Sequence, residues 1–244
     1  MAKWADWHTH TRYSDGRGTV RENLEAARQR GLASIAITDH GPNNIGVGVE
    51  NGQTYLDIKK EIADLAPAFP ELEIKVGAEA DIISPAGTID LPEEIIKELD
   101  LLLVGLHPYV WPADTAGAGW VMANQLARLS RGYREKIRTD NTKTVKEALQ
   151  QYPVDILSHP DLGMPLDRRE IALCCAEQGV AYEINTGHHY QKVEEIRELV
   201  LTGVEFVVNS DAHFPATVGR LTDGIELLQK AGVPEERIRN CWQE

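Results

Sequence analysis

A short apolar run followed by a longer amphipathic stretch recurs seven times along the chain, and few folds accommodate that order. The runs cover residues 5–10, 33–38, 73–78, 100–106, 154–158, 180–184 and 205–209. Most are rich in Ile, Val or Leu and bounded by Gly, Pro or Asp, as buried strands are. Residues 19–30, 54–65, 91–98, 142–152, 167–178, 193–202 and 218–231 carry apolar side chains at helical spacing. Gly31, Gly179, Gly203 and Gly232 then act as helix stops. Strand–helix alternation builds right-handed crossovers on a parallel sheet. Seven units in 244 residues fit a barrel better than an open sheet. No linker, low-complexity tract or repeated block divides them, so one domain over residues 1–244 is expected.

The chemistry is concentrated where these strands end. The first ends His8-Thr9-His10 and runs on to Ser14-Asp15-Gly16; the second ends Asp39-His40. Glu79 closes the third, His107 the fourth, His159 the fifth, and Asp211 with His213 the seventh. Only the sixth, Glu183-Ile184-Asn185, offers no strong metal ligand. Taken singly, each has a bland reading. His107-Pro108 and His159-Pro160 suit capped loops, Asp39 a helix N-cap, and Glu79 a solvated carboxylate. Together, six of the eight histidines and three carboxylates meet at the end where parallel α/β folds place their active sites. Imidazoles with a few carboxylates form the ligand set of zinc, manganese or iron. One residue between His8 and His10 puts both rings on one face of an extended strand.

Composition narrows the partners. The net charge of −13 repels phosphate backbones over most of the surface, which disfavours a general nucleic-acid binder. Cys174, Cys175 and Cys241 form no CxxC pair, and a reducing cytoplasm is the expected compartment. The first residues do not read as a signal peptide, and the most apolar run, 99–106, is too short to cross a bilayer. Residues 108–139 form an unusually long connection with Tyr109, Trp111 and Trp120, expected as a lid or binding element, with 121–130 as a short helix.

The order HTH…SDG…ITDH…GAE…GLH…SHP…NSDAH resembles the PHP family, named for polymerase and histidinol phosphatase domains. The resemblance runs from about Asp6 to Glu236 and is strongest to stand-alone bacterial phosphatases, with the domain fused to family X DNA polymerases also similar. It implies a distorted seven-stranded (β/α)7 TIM-like barrel and three divalent metal ions. By position, His8, His10, Glu79 and Asp211 would hold the first ion. Glu79 would bridge to a second completed by His107 and His159, and Asp15, His40 and His213 would hold a third. Asp15 departs from some relatives, which carry histidine there. Asp39 is expected to orient a neighbouring imidazole.

On this reading the chain is a phosphoric ester hydrolase in which a metal-bridged hydroxide attacks a small phosphomonoester. Glu79, Asp211 and His213 are the expected catalytic residues, and Arg12, Arg220 and His188 the expected phosphate or substrate contacts. The main alternative is a DNA 3′–5′ exonuclease or DNA-end phosphatase. Residues Arg128, Arg131, Arg134, Lys136 and Arg138 speak for it; the net charge and the lack of a polymerase segment speak against it. A non-catalytic scaffold is the third reading, disfavoured because every ligand position is filled. Assembly into a homo-oligomer is left open by the sequence.

Overall fold

Each strand pairs with the next strand in the chain, as successive strand–helix units require. A computed structural model describes residues 3–127 and 131–242. β1 (Lys3–Asp6), β2 (Ser34–Ile37), β3 (Glu73–Asp81), β4 (Leu101–Gly105), β5 (Ile156–Leu157), β6 (Ala181–Asn185) and β7 (Phe206–Asn209) form one continuous parallel set. The expected barrel-like α/β fold is therefore present. The sequence pattern does not announce β8 (Cys241–Trp242), an eighth strand of two residues that pairs antiparallel with β1. The expected first strand, 5–10, is also corrected. It lies earlier, and the His8–His10 segment continues past its end.

The two ends of the parallel set meet above and below. At the carboxyl ends, Thr9 bridges to Ala212, with His10 N–H donating to Ala212 O at 2.9 Å. At the other end the C-terminal segment is wedged between β1 and β7. Asn240 Nδ2 donates to Ala5 O at 2.8 Å and Val208 O at 2.7 Å, and its Oδ1 accepts from Val208 N–H at 3.0 Å. One buried amide thus links β1 and β7, which form no ladder with each other among the described residues. Trp7 from one side and Trp242 from the other close the seam edge-to-face, 5.8 Å apart.

Alternation along the strands separates two apolar layers. Ala5, Trp7, Ala36, Leu101, Leu103, Ile156, Ala181 and Val207 fill the inside of the curl. Ile35, Ile37, Ala78, Val104, Leu157, Ile184 and Val208 face outward against the helices. The helices are α1 (Val20–Gln29), α2 (Gln53–Leu65), α3 (Glu93–Ile96), α4 (Thr115–Ala127), α5 (Arg131–Gln151), α6 (Arg168–Gln178), α7 (Val193–Val200) and α8 (Thr222–Ala231). α1 starts with a capping box, Thr19 and Glu22 each satisfying the other's backbone N–H. Gly179 and Gly232 end α6 and α8 at φ 71° and 78°, a left-handed turn that a side chain would resist.

The 108–139 connection is more regular than its length suggests. α4 and the first turns of α5 occupy most of it, and α5 begins eleven residues before the expected start at 142. The two helices are joined by a buried amide pair. Asn141 Nδ2 donates to Asn124 Oδ1 at 2.8 Å, while Asn141 Oδ1 accepts from Asn124 Nδ2 and from Trp120 Nε1 at 2.9 Å. Arg128 and the end of the expected 121–130 helix lie outside the described residues. Among the described residues, no helix is long and apolar enough to cross a membrane.

Candidate metal centre

β3 supplies the centre. Its alternation turns Glu79 and Asp81 to the inside and Ala78 and Ala80 to the helices. Glu79 is fully buried, and five imidazoles surround it. His107 Nε2 and His159 Nε2 lie 3.5 and 2.7 Å from Oε1. His8 Nε2, His10 Nε2 and His40 Nδ1 lie 3.3, 3.7 and 2.8 Å from Oε2. Gly105, in the adjacent strand, makes room for this. A Cβ there would come within 2.6 Å of Ser158 Oγ and 3.2 Å of Glu79 Oε1.

The structure brings all nine expected ligands together. Asp211 Oδ1 lies 3.1 Å from His10 Nε2 and 3.5 Å from His8 Nε2. On the outer side, Asp15 Oδ1 lies 3.3 Å from His213 Nε2 and 3.8 Å from His40 Nε2. Three sets of ligand atoms share Glu79 or His8, and a fourth joins His10, Asp15, His40 and His213. Two of the candidates sit on left-handed backbone, His159 at φ 27° and Asp211 at φ 50°. Such residues carry strain of about 1–3 kcal/mol each, which surrounding structure must hold in place.

These residues fit a metal. Buried polar atoms ordinarily have hydrogen-bond partners. Here Glu79 Oε1 and Oε2, His8 Nε2, His10 Nδ1, His40 Nδ1 and Asp15 Oδ1 are buried with none. Imidazole nitrogens and carboxylate oxygens gathered this closely, with hydrogen bonds unmade between them, are what a cation satisfies.

Hydrogen bonds from behind decide which nitrogen faces the centre. His8 Nδ1 donates to Glu183 Oε1 at 2.7 Å, leaving Nε2 toward Glu79. His107 Nδ1 meets Asp81 Oδ1 at 2.5 Å, and His213 Nδ1 donates to Asp211 O at 2.9 Å. Glu183 does more. Its Oε2 accepts His159 N–H at 2.6 Å and Asn185 Nδ2 at 3.1 Å, and Asn185 Nδ2 also reaches Asp211 Oδ2 at 3.0 Å. Sequence reasoning passes over Glu183 and Asp81. The available signal is an acid at an inward position of a mostly apolar strand. Asp39 corrects its expected role, because it orients no imidazole. It accepts from Thr11 N–H and Oγ1 at 2.7 Å and from Ser14 Oγ at 2.5 Å, fixing the loop that carries Asp15.

Charge within the cluster is strongly coupled. Burial works against an imidazolium at His8, yet Glu183, Glu79 and Asp211 hold its pKa well above the usual histidine value. The same balance carries His40 up to about 9, with Glu79 the chief attraction. Burial dominates at His10 and His107, pushed down to about 3 and about 4. Burial raises Asp81 to about 8. For Glu79, burial is outweighed by His8, His107, His40 and His159, and its pKa falls well below the carboxylate range.

A cleft of about 550 Å³ opens onto the outer set, lined by Asp15, Arg17, His188, Asp211, His213 and Phe214. His188, one of the expected substrate contacts, lies there with Nε2 3.2 Å from Asp211 Oδ2. Arg12 lies elsewhere, in a crevice with Tyr13, Thr19 and Glu61, its Nε donating to Arg17 O. Arg220 is exposed, and its backbone carbonyl accepts from Thr186 Oγ1. Arg17 is the guanidinium at the cleft, and the sequence reading did not single it out for this role. Tyr109 and Trp111 stand exposed at 56% and 63%, whereas Tyr190 donates to Pro160 O and packs inward.

Replacing Glu183 by Gln keeps the shape but weakens its hold on His8 Nδ1. The expected result is metal affinity lower by roughly 10–100-fold, read by calorimetric titration with Mn²⁺ or Zn²⁺. Unchanged affinity would show that Glu183 only packs.

Comparison with known proteins places this geometry. The PHP domain family matches residues 6–195. A probable phosphatase of Caldanaerobacter subterraneus is 30% identical, the alignment covering 96% of this chain and 86% of that protein. One of Thermoanaerobacter sp. (strain X514) is 29% identical over 96% of this chain and 89% of its own length. Among solved structures, histidinol phosphate phosphatase from Lactococcus lactis, complexed with zinc, L-histidinol and phosphate, superposes with a TM-score of 0.64. It covers 94% of each chain at 16% identity, a likeness of fold.

Proposed function

The chain belongs to the PHP domain family, and we propose that this metal-dependent phosphoesterase hydrolyses small phosphomonoesters with three divalent ions in the Glu79 cluster. One observation carries the reading: imidazoles converge on both oxygens of a single buried carboxylate, and those two oxygens, with His8 Nε2 and His40 Nδ1, have no hydrogen-bond partner. Glu79 Oε1 with His107 and His159 suits one ion, and Oε2 with His8, His10 and Asp211 suits a second. Asp15, His40 and His213 suit a third, with His40 standing between two of the sets. Divalent ions held there supply Lewis acidity toward phosphate oxygens and lower the pKa of water.

The chain's own residues account for the rest. Glu183 and Asp81 fix the tautomers of His8 and His107, so their Nε2 lone pairs stay inward. Asn185 and His188 hold the outer oxygen of Asp211 and keep Oδ1 turned to His8 and His10. The cleft admits a phosphoryl group at the Asp15–His213 side, where Arg17 offers a guanidinium.

A nucleic-acid substrate fits less well. It needs a basic track that offsets phosphates on either side of the reacting one. Two arginines of α5 have acids beside them instead. Arg138 pairs with Asp167 and Glu135, each at 3.0 Å, and Arg134 shares a crevice with Asp161, Asp167 and Glu195. The expected result is a kcat/KM at least about 10²-fold higher for the best of a panel of small phosphomonoesters than for nucleotide release from a labelled oligonucleotide, a gap equal to about 2.7 kcal/mol. Both are measured with the same metal. An oligonucleotide preference that disappears in an Arg134→Gln/Arg138→Gln variant would replace this reading with the nuclease one.

A further inference from the structure

Two side chains at the mouth of the cleft stand outside the cluster, yet the backbone ties both to His213. Arg17 N–H donates to His213 O at 2.7 Å. Phe214 follows His213 directly, and its carbonyl accepts from Thr217 N–H and Thr217 Oγ1, both at 2.8 Å. The Phe214 backbone is therefore pinned one peptide from a cluster imidazole while its side chain stays 54% exposed. A lone exposed apolar residue is ordinary on a protein surface. What sets Phe214 apart is its place. Together with Val47 and Arg17 it lines a cleft whose floor is Asp15, Asp211 and His213. The cleft, about 550 Å³, has room for a phosphoryl group with a ring attached.

Resting on the phosphatase reading, we infer that Arg17 and Phe214 form the subsite that selects the substrate's organic part. Arg17 contacts a phosphate oxygen at the edge of the cluster. Phe214 receives a flat or apolar leaving group joined to the ester oxygen directly or through one carbon. The subsite favours aryl and arylmethyl phosphates over small polyol phosphates, since a polyol gains nothing from the ring and gives up hydration to approach it.

Phenylphosphonate and methylphosphonate cannot be hydrolysed and differ at the group that would meet Phe214, so their dissociation constants for the metal-loaded protein test the subsite without turnover. Phenylphosphonate is expected to bind roughly three- to ten-fold tighter. Phe214→Ala should bring the ratio to about one, and Phe214→Leu to a value between, because only the ring's contact is removed in steps. Arg17→Gln should weaken both ligands by a similar factor, on the order of ten-fold. A wild-type ratio near one, a ratio that survives Phe214→Ala, or phosphonates that do not bind at all would overturn the inference. Hydrolysis of phenyl phosphate and glycerol phosphate, run alongside, separates the two claims. Cleavage of both esters with no phosphonate preference leaves the phosphatase reading standing and removes the subsite. A Phe214-dependent preference with neither ester cleaved leaves the subsite and removes the phosphatase reading.

Discussion

Replacing Glu79 by alanine is expected to lower kcat by about 10³-fold or more at saturating metal, the loss of several kcal/mol of stabilisation at the reacting phosphate. Both Glu79 oxygens face imidazoles, Oε1 toward His107 and His159 and Oε2 toward His8, His10 and His40. Its removal therefore loosens two ion sites at once. Asp15→Ala is expected to cost far less, because Asp15 touches only the outer set through His213 and His40. Equal losses, or a larger one from Asp15, would mean that Glu79 does not join two sites.

Stripping the protein of divalent ions is expected to abolish activity and to make stability fall as pH rises from about 6.5 to about 9. The sign follows from which state holds the protons. In the metal-free protein His40 has a pKa of about 9, above that of an unfolded histidine. Its contribution to stability is complete below the unfolded value and is lost as pH rises through the folded one. His8 and His213, raised in the same direction, and Asp81, raised to about 8, act alike in this window. His10 and His107, lowered to about 3 and about 4, oppose this trend only near the unfolded histidine value and add nothing once pH is well above it. Bound ions displace the imidazole protons, so loaded protein should not show the decline. Melting temperatures with chelator and with Mn²⁺ across this range decide it; parallel curves would contradict the account.

The candidate ligands were legible because each belongs to a short motif at the end of an apolar run, where strand and turn signals coincide. His8, His40, His107, His159 and His213 can be placed that way from sequence spacing alone. Glu183 and Asp81 could not be, since their roles arise from register. Glu183 reaches His8 and His159 only because β6 lies between β5 and β7 and curls toward β1. Asp39 was expected to orient a neighbouring imidazole, but it lies just past the end of β2, beside the loop that leaves β1. Its carboxylate meets the Thr11–Ser14 turn instead.

The fold was readable to a similar depth. Seven parallel strands follow from the alternation of patterns, while β8 is too short to have a period and depends on Asn240 reaching both Ala5 and Val208. The 108–139 region looked irregular because Gly117, Gly119 and Gly132 lower helix propensity. Burial of the Asn124–Asn141 pair against Trp120 outweighs that cost. Arg12 and Arg220 were chosen for nearness in sequence to ligand motifs. Arg17, not chosen, is held at the cleft by its backbone bond to His213.

The central claim, that this cluster is a metal site of three ions, is tested most directly by anomalous scattering from crystals of protein supplied with Mn²⁺ or Zn²⁺. The account predicts three peaks: one between Glu79 Oε1, His107 and His159, one between Oε2, His8, His10 and Asp211, and one among Asp15, His40 and His213. A well-ordered cluster that stays without a peak in the presence of both metals would contradict it.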